Sequence, residues 1–266
     1  MNSTAKPLLA PDEPSPVTVR NPNGASPLLL VADHAGNLIP RALGDLGVSD
    51  AERARHIGWD IGIAGVVRLM AEALNATSVQ QNYSRLVVDC NRPPGVPSSM
   101  PEISELTPVP GNVGLSASDR DTRVREIFRP YHAAIEAELD RRKKAGRATV
   151  LIAMHSFTPS YKGLARPWHA GVLYNRDPRL AHIVLALLKH DAGLVVGDLE
   201  PYTVSDEHDY TIPVHGERRG LHHVAIEIRQ DLIAHDKGQQ DWAALMTRLL
   251  PEAYREVAGG EALRPA

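Results

Sequence analysis

The chain alternates short, continuously apolar runs with longer segments of helical periodicity, and this alternation restricts its fold more than any other feature. The clearest apolar runs are residues 27–32 and 149–154, and residues 61–74 between them form an amphipathic helical pattern. Strands that are apolar on both faces are typical of a parallel sheet covered by helices on both sides. The sequence therefore predicts an α/β sandwich with a largely parallel sheet.

The remaining elements extend the same pattern. Further strands are predicted at residues 77–81, 85–90, 171–174, 194–196 and 224–228, and further helices at residues 119–145, 178–192 and 240–258. We expect Ser118 or Asp119 to cap the first of these helices and Gly146 to follow its end. Residues 93–118 are rich in Pro, Gly and Ser, which predicts a long loop that is functional or mobile. Residues 1–25 are expected to form a flexible lead-in to a single α/β domain over residues 26–260.

Composition excludes several classes of protein. A single cysteine, Cys90, leaves no internal disulfide framework and no cysteine-based zinc site. The net charge of −3 makes nucleic acid an unexpected partner. No apolar run reaches the roughly 18 residues that a membrane-spanning helix needs, so no membrane association is expected. The first residues lack the pattern of a secretory signal, so we expect a cytoplasmic protein, with its oligomeric state left open.

Histidines follow two of the predicted strands. His34 comes after the first apolar run, in the stretch DHAG, and the second run is followed by His155 and Ser156. Because ligands bind beyond the carboxyl ends of strands in open α/β sheets, both imidazoles are expected at one site. Three ligands drawn from His, Asp and Glu, with one open position, are typical of catalytic zinc. The alternative is that both histidines only hydrogen-bond to the backbone of turns.

The third metal ligand has two candidates. Asp60, in the stretch HIGWDIGIAG, precedes a predicted helix, where an acid is more commonly an N-cap. Asn37 stands three residues after His34, but asparagine is a poor zinc ligand. Asp60 or a water molecule is therefore preferred.

The stretch IPVHGERRGLHHVAIEIRQD carries a second set of candidates. Glu227 lies within an apolar strand, where a carboxylate is costly unless it is paired or ligated. It is expected to act as a general base beside a metal ion, and the alternative is an ion pair with Arg229 or another arginine. At least one of His215, His222 and His223 is expected to donate to a substrate carbonyl or carboxylate, although turn histidines at the surface are more common.

The stretch SRLVVDCNRPPG places Arg85, Asn91 and Arg92 around one predicted strand. An arginine and an asparagine there suit the binding of a substrate carboxylate. The alternative is a pair between Arg92 and Asp89 that only holds the loop.

Five of these stretches, taken in order, resemble the N-formylglutamate amidohydrolase family. They are DHAGNLIP, WDIG, SRLVVDCNRP, AMHSF and RRGLHHVAIEIRQDLI, and they extend over about residues 28–235. The resemblance implies a three-layer sandwich with a mixed, largely parallel sheet, of the phosphorylase/hydrolase-like fold that is similar to zinc carboxypeptidases and the aspartoacylase group. It also implies a divalent metal cofactor, Zn²⁺ being expected, and a small-molecule N-acyl amino acid as the partner.

The resemblance also implies roles for individual residues. His34 and His155 match the metal-binding histidines, and Glu227 matches the base. One departure is Asn37, which stands where carboxypeptidase-type sites have the acid of a His-x-x-Glu motif. The complete set of expected site residues is His34, Asp60 and His155 for the metal, Glu227, Arg85 and His222 for catalysis, and Asn91, Arg92, His215 and Arg229 for substrate binding.

The expected reaction is metal-assisted hydrolysis of an N-formyl amino acid such as N-formyl-L-glutamate to formate and L-glutamate. Glu227 is expected to take the proton of the attacking water and to return it to the leaving amine, with Arg85 or His222 beside the oxyanion. The alternatives are an amidase of the same fold for another N-acyl amino acid, and a metal-free binding protein for anionic amino acids. A serine hydrolase built on Ser156 lacks the G-x-S-x-G turn.

Overall fold

The computed structural model describes residues 7–190 and 193–262. Its strands are β1 Val17–Arg20, β2 Leu28–Ala32, β3 Thr77–Gln81, β4 Ile103–Ser104, β5 Thr107–Pro108, β6 Val150–Phe157, β7 Ser160–Tyr161, β8 Leu164–Ala165, β9 Ala170–Leu173, β10 Val196–Asp198 and β11 His222–Arg229. Its α-helices are α1 Asp50–Arg53, α2 Ile63–Ala73, α3 Ala117–Arg123, α4 Arg129–Lys144, α5 Arg179–His190 and α6 Asp236–Ala262. Short 3-10 turns lie at Arg41–Leu43, Pro97–Ser99, Pro110–Asn112, Glu217–Arg219 and Gln230–Leu232, and π-helical turns at Val124–Phe128 and Ile212–Gly216.

The central sheet has seven strands in the order β1-β3-β2-β6-β11-β9-β10. The four strands β3, β2, β6 and β11 are parallel to one another. At one edge β1 pairs antiparallel with β3, and at the other β9 pairs antiparallel with β11 and parallel with β10. The prediction of a mixed, largely parallel sheet is confirmed.

Helices cover both faces of the sheet because alternate strand residues point to opposite sides. On one face, strand residues such as Leu30 and Ile226 belong to a core that includes α2, α5 and α6. On the other face, Leu29 and Leu151 pack with Tyr131 of α4. The structure therefore has three layers, as predicted. None of the helices in the described ranges is both long and apolar enough to cross a bilayer.

The expected lead-in contains structure that the sequence did not indicate. Residues 17–20 form β1, and the backbone N–H groups of Leu8 and Leu9 donate to Glu126 at 2.7 and 2.9 Å. Residues 7–25 are thus attached to the sheet and to the helical segment before α4. Residues 1–6 lie outside the described part of the chain.

The predicted strand over residues 85–90 is wrong, because this segment forms turns. The Val87 N–H donates to the Ser84 carbonyl and the Leu86 N–H to Ser84 Oγ, which bends the backbone. Leu86, Val87 and Val88 are nevertheless buried in the core. Their apolar character reflects burial without sheet pairing.

Other boundaries differ from the predictions by a few residues. Helix α3 begins earlier than expected, with Ser116 as its N-cap in a reciprocal capping box with Asp119. Gly146 follows α4 in the left-handed conformation, as predicted. Residues 93–118 include the hairpin β4–β5, and the predicted end of the next helix at residues 191–192 lies outside the described residues.

Candidate active site

The candidate site lies at the carboxyl end of the parallel strands. Strands β6 and β11 are in a register that places His155 beside Glu227. His34 follows β2, which is the neighbour of β6 on its other side. The strand β6 continues through His155 instead of ending before it, so this imidazole projects from regular sheet. Three side chains from distant parts of the sequence are thereby brought to one place.

His34, Asp60 and His155 each offer a ligand atom within 4.8 Å of the other two. The Asp60 Oδ2 atom lies 3.0 Å from His155 Nδ1 and 3.5 Å from His34 Nδ1. All three residues are buried, and His34 Nδ1 makes no hydrogen bond within the described chain. A buried ring nitrogen of this kind is costly unless it has another partner. Two imidazoles and a carboxylate that converge in this way fit a divalent metal ion.

The Nε2 atoms of both histidines, which are the ring nitrogens not facing Asp60, contact other carboxylates. His34 Nε2 lies 2.6 Å from Asp89 Oδ1, and His155 Nε2 lies 3.1 Å from Asp33 Oδ2. Asp33 is held in turn by the hydroxyl of Thr211, which donates to its Oδ1 at 2.6 Å. Metal-binding histidines commonly have a carboxylate on the second nitrogen, which fixes the ring orientation. This arrangement supports the same assignment of His34 and His155.

The buried charges of the site are strongly coupled. Burial alone would raise the pKa of each carboxyl, but the neighbouring imidazoles lower the pKa of Asp33 to about 2 and hold that of Asp60 below its usual range. Arg85 and an imidazole together hold the pKa of Asp89 well below its usual range against burial. Arg85 Nη2 lies 2.6 Å from Asp89 Oδ2 and its Nη1 3.6 Å from Asp60 Oδ1. The site therefore concentrates ionised carboxylates that a bound cation would partly neutralise.

Glu227 differs from these carboxylates. Its side chain is buried, and its Oε2 atom has no hydrogen-bond partner within the described chain. Burial raises its pKa to about 7, although the positive charge of His155 opposes the rise. A carboxylate with a pKa near neutrality can both accept and return a proton.

The hydrogen bonds of Asn37 and Asp60 distinguish these two candidates for the third metal ligand. Asn37 donates from Nδ2 to the Arg53 carbonyl at 2.9 Å, away from the two imidazoles. The N-cap of α2 is Gly62, so Asp60 does not cap this helix. Instead, the Asp60 carboxylate accepts the Ser156 backbone N–H at 3.2 Å and contacts His155. Of the two candidates, Asp60 is the one that the structure places among the imidazoles.

Comparison with known proteins identifies the family. The profile of the N-formylglutamate amidohydrolases matches residues 26–234. The chain belongs to the N-formylglutamate amidohydrolase family. A curated relative, the N-formylglutamate deformylase of Pseudomonas putida, is 29% identical over 143 residues, which cover 50% of this chain and 52% of that protein. The match thus spans about half the length of the curated relative.

Two solved structures are similar to this amidohydrolase-family chain over most of their length. A gene product of Agrobacterium tumefaciens is 38% identical with a TM-score of 0.91, covering 94% of this chain and 99% of the other. An N-formylglutamate amidohydrolase from Ralstonia eutropha JMP134 is 22% identical with a TM-score of 0.68, covering 92% and 99%. These likenesses agree with the three-layer fold that was expected from the family resemblance.

A cleft of about 690 Å³ opens over the site of this family member. Seven of the ten expected site residues line it, namely His34, Asp60, Arg85, Asn91, Arg92, His155 and Glu227. The remaining three, His215, His222 and Arg229, do not line it. Its volume is typical of small-molecule binding sites.

Two expected histidines lie elsewhere. His222 is the first residue of β11 and pairs with Val150 at the amino end of β6. It is five residues before Glu227, or about 16 Å along a strand that rises ~3.3 Å per residue, so it is far from the carboxyl end. His215 is fully buried and its ring stacks on His132, with centroids 5.1 Å apart. The expectation that these two histidines contact substrate is therefore not met.

Arg229 contacts the segment that precedes β9. Its Nη1 lies 3.3 Å from the carbonyl oxygens of Pro167 and Trp168, and its Nε donates to Asp231 at 2.8 Å. Within the described residues its ion-pair partner is Asp231 and not Glu227, although Glu227 and Arg229 are two residues apart on β11 and therefore share a face. The expected contact between Arg229 and substrate is not seen in this geometry.

Asn91 and Arg92 line the cleft but are both engaged with its wall. The Asn91 side-chain oxygen accepts the backbone N–H groups of Tyr210 and Thr211 at 3.1 and 3.0 Å. Arg92 Nη1 lies 2.9 Å from Asp209 Oδ1, so its acidic partner is Asp209, not Asp89. Asn91 thus orders residues 209–211, and Arg92 presents a partly exposed guanidinium beside them.

Several residues of the site were not predicted as such. Asp33 and Asp89 hold the imidazoles, and each follows an apolar run in the sequence, as the predicted histidines do. The position of both acids after an apolar run is a sequence signal that could have identified them as site residues. Tyr161 and Tyr202 also line the cleft, but Tyr161 ends the two-residue strand β7 and Tyr202 lies in an irregular segment, so neither belongs to a periodic pattern.

Proposed function

We propose that this protein is a metal-dependent amidohydrolase that removes the formyl group of N-formyl-L-glutamate. The observation that supports this most strongly is the convergence of His34, Asp60 and His155 beside the buried Glu227. Membership of the N-formylglutamate amidohydrolase family supplies the substrate class.

The proposed metal ligands are His34, Asp60 and His155. Two imidazoles and one carboxylate are a common set for catalytic zinc, with a further position for water. When bound there, the ion would supply Lewis-acid catalysis and lower the pKa of a water molecule to about 7. Asp89 and Asp33 would keep the two imidazole rings in the orientation that this binding requires.

Glu227 is the proposed general base and acid. It would accept a proton from the attacking water, whose oxygen forms a bond with the formyl carbon. As the C–N bond breaks, Glu227 would return that proton to the amine nitrogen, which leaves formate and L-glutamate. A pKa near 7 suits both transfers, because neither form of the carboxyl is then strongly preferred at neutral pH.

Two arginines complete the proposal. Arg85 lies at the cleft beside Asp89 and Asp60, where its charge would stabilise negative charge on the substrate carbonyl oxygen. Arg92, at the wall of the same cleft, would bind the α-carboxylate and so orient the amide.

The decisive experiment is the substitution Glu227→Gln. Formate release from N-formyl-L-glutamate by zinc-loaded protein is expected to fall at least about 100-fold in kcat, the usual contribution of general acid–base catalysis. Metal content, measured by elemental analysis, is expected to stay at the wild-type value. Glu72→Gln is a matched control, because Glu72 lies on the exposed side of α2 and its carboxylate pairs with Arg68. Turnover within a few-fold of wild type with metal still bound would contradict the role of Glu227.

A panel of N-formyl, N-acetyl and N-succinyl amino acids tests the acyl group. The highest kcat/KM is expected for the N-formyl compound. Preference for a larger acyl group would indicate another amidase on the same fold. Protein that retains under about one-tenth of an equivalent of divalent metal and shows no zinc-stimulated turnover would instead indicate a binding protein.

A further inference from the structure

Arg166 does not itself line the cleft, but it lies against two aromatic rings that do. Its guanidinium carbon lies 4.8 Å from the ring centroids of both Tyr161 and Tyr202. Its Nη1 also donates to the Tyr202 hydroxyl at 2.8 Å. Both tyrosines line the cleft. Arg166 directly follows β8, so its guanidinium is held next to the hairpin β7–β8.

The two arginines that line the cleft have acidic partners. Arg85 pairs with Asp89 at 2.6 Å and Arg92 pairs with Asp209 at 2.9 Å. Arg166, within the described residues, contacts aromatic rings and a hydroxyl but no carboxylate. A guanidinium fork that is stacked and lacks an acidic partner is suited to pair with the carboxylate of a ligand.

The backbone around Arg166 is fixed. Its N–H donates to the Pro159 carbonyl at 2.8 Å, which closes the hairpin. Arg229, two residues after Glu227, reaches the carbonyl oxygen of Arg166 at 3.5 Å and those of the next two residues at 3.3 Å. Arg229 therefore links the strand of Glu227 to the segment that carries Arg166. Such pre-organisation lowers the entropy lost when a ligand binds.

Tyr202 lines the cleft together with Glu227, and its hydroxyl accepts a hydrogen bond from Arg166. This tyrosine therefore connects the cleft that contains the proposed base to the guanidinium beside it. A ligand that extends from Glu227 along Tyr202 would place its far end at Arg166.

We infer that Arg166, stacked between Tyr161 and Tyr202, binds the side-chain carboxylate of a dicarboxylic N-acyl amino acid. The inference rests on the proposed function and names the residue that would recognise the acidic side chain of its substrate. Arg92 and Arg166 then bind different carboxylates of one substrate. A purely structural role of Arg166 makes a different prediction, because loss of a hairpin contact would impair all substrates equally.

The test compares N-formyl-L-glutamate with N-formyl-L-glutamine, which has nearly the same shape but a neutral side chain. Wild type is expected to prefer the acidic substrate. Arg166→Gln is expected to lower kcat/KM for this substrate about ten- to hundredfold, the value of a hydrogen-bonded charge, mainly through KM. The glutamine derivative is expected to change less than about threefold, well under the effect of one charge-assisted hydrogen bond. Arg166→Lys is expected to restore part of the preference, and Arg68→Gln on the exposed side of α2 serves as the control.

Calorimetric titration of glutarate into the same proteins separates the proposed role of Arg166 from the proposed hydrolytic function. If Arg166→Gln leaves the preference between the two substrates unchanged, or lowers both equally, the inference is overturned while the proposed function stands. Wild type that binds glutarate through Arg166 but hydrolyses no N-formyl amino acid would overturn the proposed function and retain Arg166 as a carboxylate-binding residue. Absence of both glutarate binding and hydrolysis in wild type would overturn both.

Discussion

Acidification from pH 7 to pH 5 is expected to destabilise the protein through a buried pair of histidines. His132 of α4 and His215 of the π-helical turn Ile212–Gly216 are both almost completely inaccessible to solvent. His132 Nε2 donates to the Cys90 carbonyl at 2.8 Å, so its Nδ1 must accept from His215 Nε2 at 2.9 Å. His215 Nδ1 then carries a lone pair with no hydrogen-bond partner in the described chain. A proton added there would be buried without an acceptor.

The magnitude follows from the pKa values. Burial lowers the pKa of His132 to about 4, and burial together with the charge of His132 lowers that of His215 to about 3. In the unfolded chain both titrate near ~6.5. Between pH 6.5 and pH 5 only the unfolded state takes up these protons, so the free energy of unfolding falls as the pH falls. Each histidine contributes about 1.5 pH units at ~1.4 kcal/mol per unit, or about 2 kcal/mol.

The assay is urea unfolding, followed by circular dichroism at pH 7 and pH 5, of wild type and His215→Gln. Glutamine stays neutral at both pH values and can still donate to His132. The wild type is expected to lose about 2 kcal/mol more than the variant between the two pH values, since other titrating groups contribute equally to both proteins. Equal losses, within about 0.5 kcal/mol, would refute the neutral buried pair.

Two further substitutions test the support of the site. Asp89→Asn removes the charged partner of His34 Nε2. It is expected to weaken zinc binding about ten- to hundredfold in a chelator competition. An unchanged Kd would show that Asp89 does not orient the His34 ring. Gly171→Ala would place a Cβ atom 1.9 Å from the Glu200 carbonyl oxygen, so it is expected to displace the segment that leads to Tyr202 and to lower the free energy of unfolding by about 1–3 kcal/mol. Gly259→Ala in α6 is the control in the same denaturation assay, because within the described residues the added Cβ meets nothing within 4 Å beyond the backbone of its own helix. Equal effects of the two substitutions would contradict the steric argument.

The proposed metal ligands could be predicted because parallel strands carry their following residues to a common edge. His34 and His155 were visible as imidazoles after apolar runs, and Glu227 as an acid inside one. Asp60 was ambiguous, since a helix-capping acid and a metal ligand occupy the same sequence position. The structure distinguishes the two because Gly62 takes the capping position in the left-handed conformation and leaves Asp60 to contact His155.

Other features depend on contacts that sequence patterns do not encode. The apolar run at residues 85–90 reports burial correctly, but burial does not require a paired strand. The histidines near Glu227 looked equivalent in sequence, yet β11 starts at His222 and so separates it from the site by most of a strand. Arg166 and Tyr202 meet through two irregular segments, where neither period nor spacing indicates a partner.

Asp60 is attached to the ends of two adjacent strands. Its backbone N–H donates to the His34 carbonyl at 2.9 Å, while its carboxylate accepts the Ser156 N–H of β6. Moving this carboxylate would therefore disturb the sheet itself, which leaves little freedom for evolution to remodel the floor of the cleft. The hairpins β4–β5 and β7–β8 contribute Ile103, Ser104 and Tyr161 to the cleft without belonging to the central sheet. We expect related chains that act on other substrates to differ mainly in these two hairpins, while the floor of the cleft stays the same.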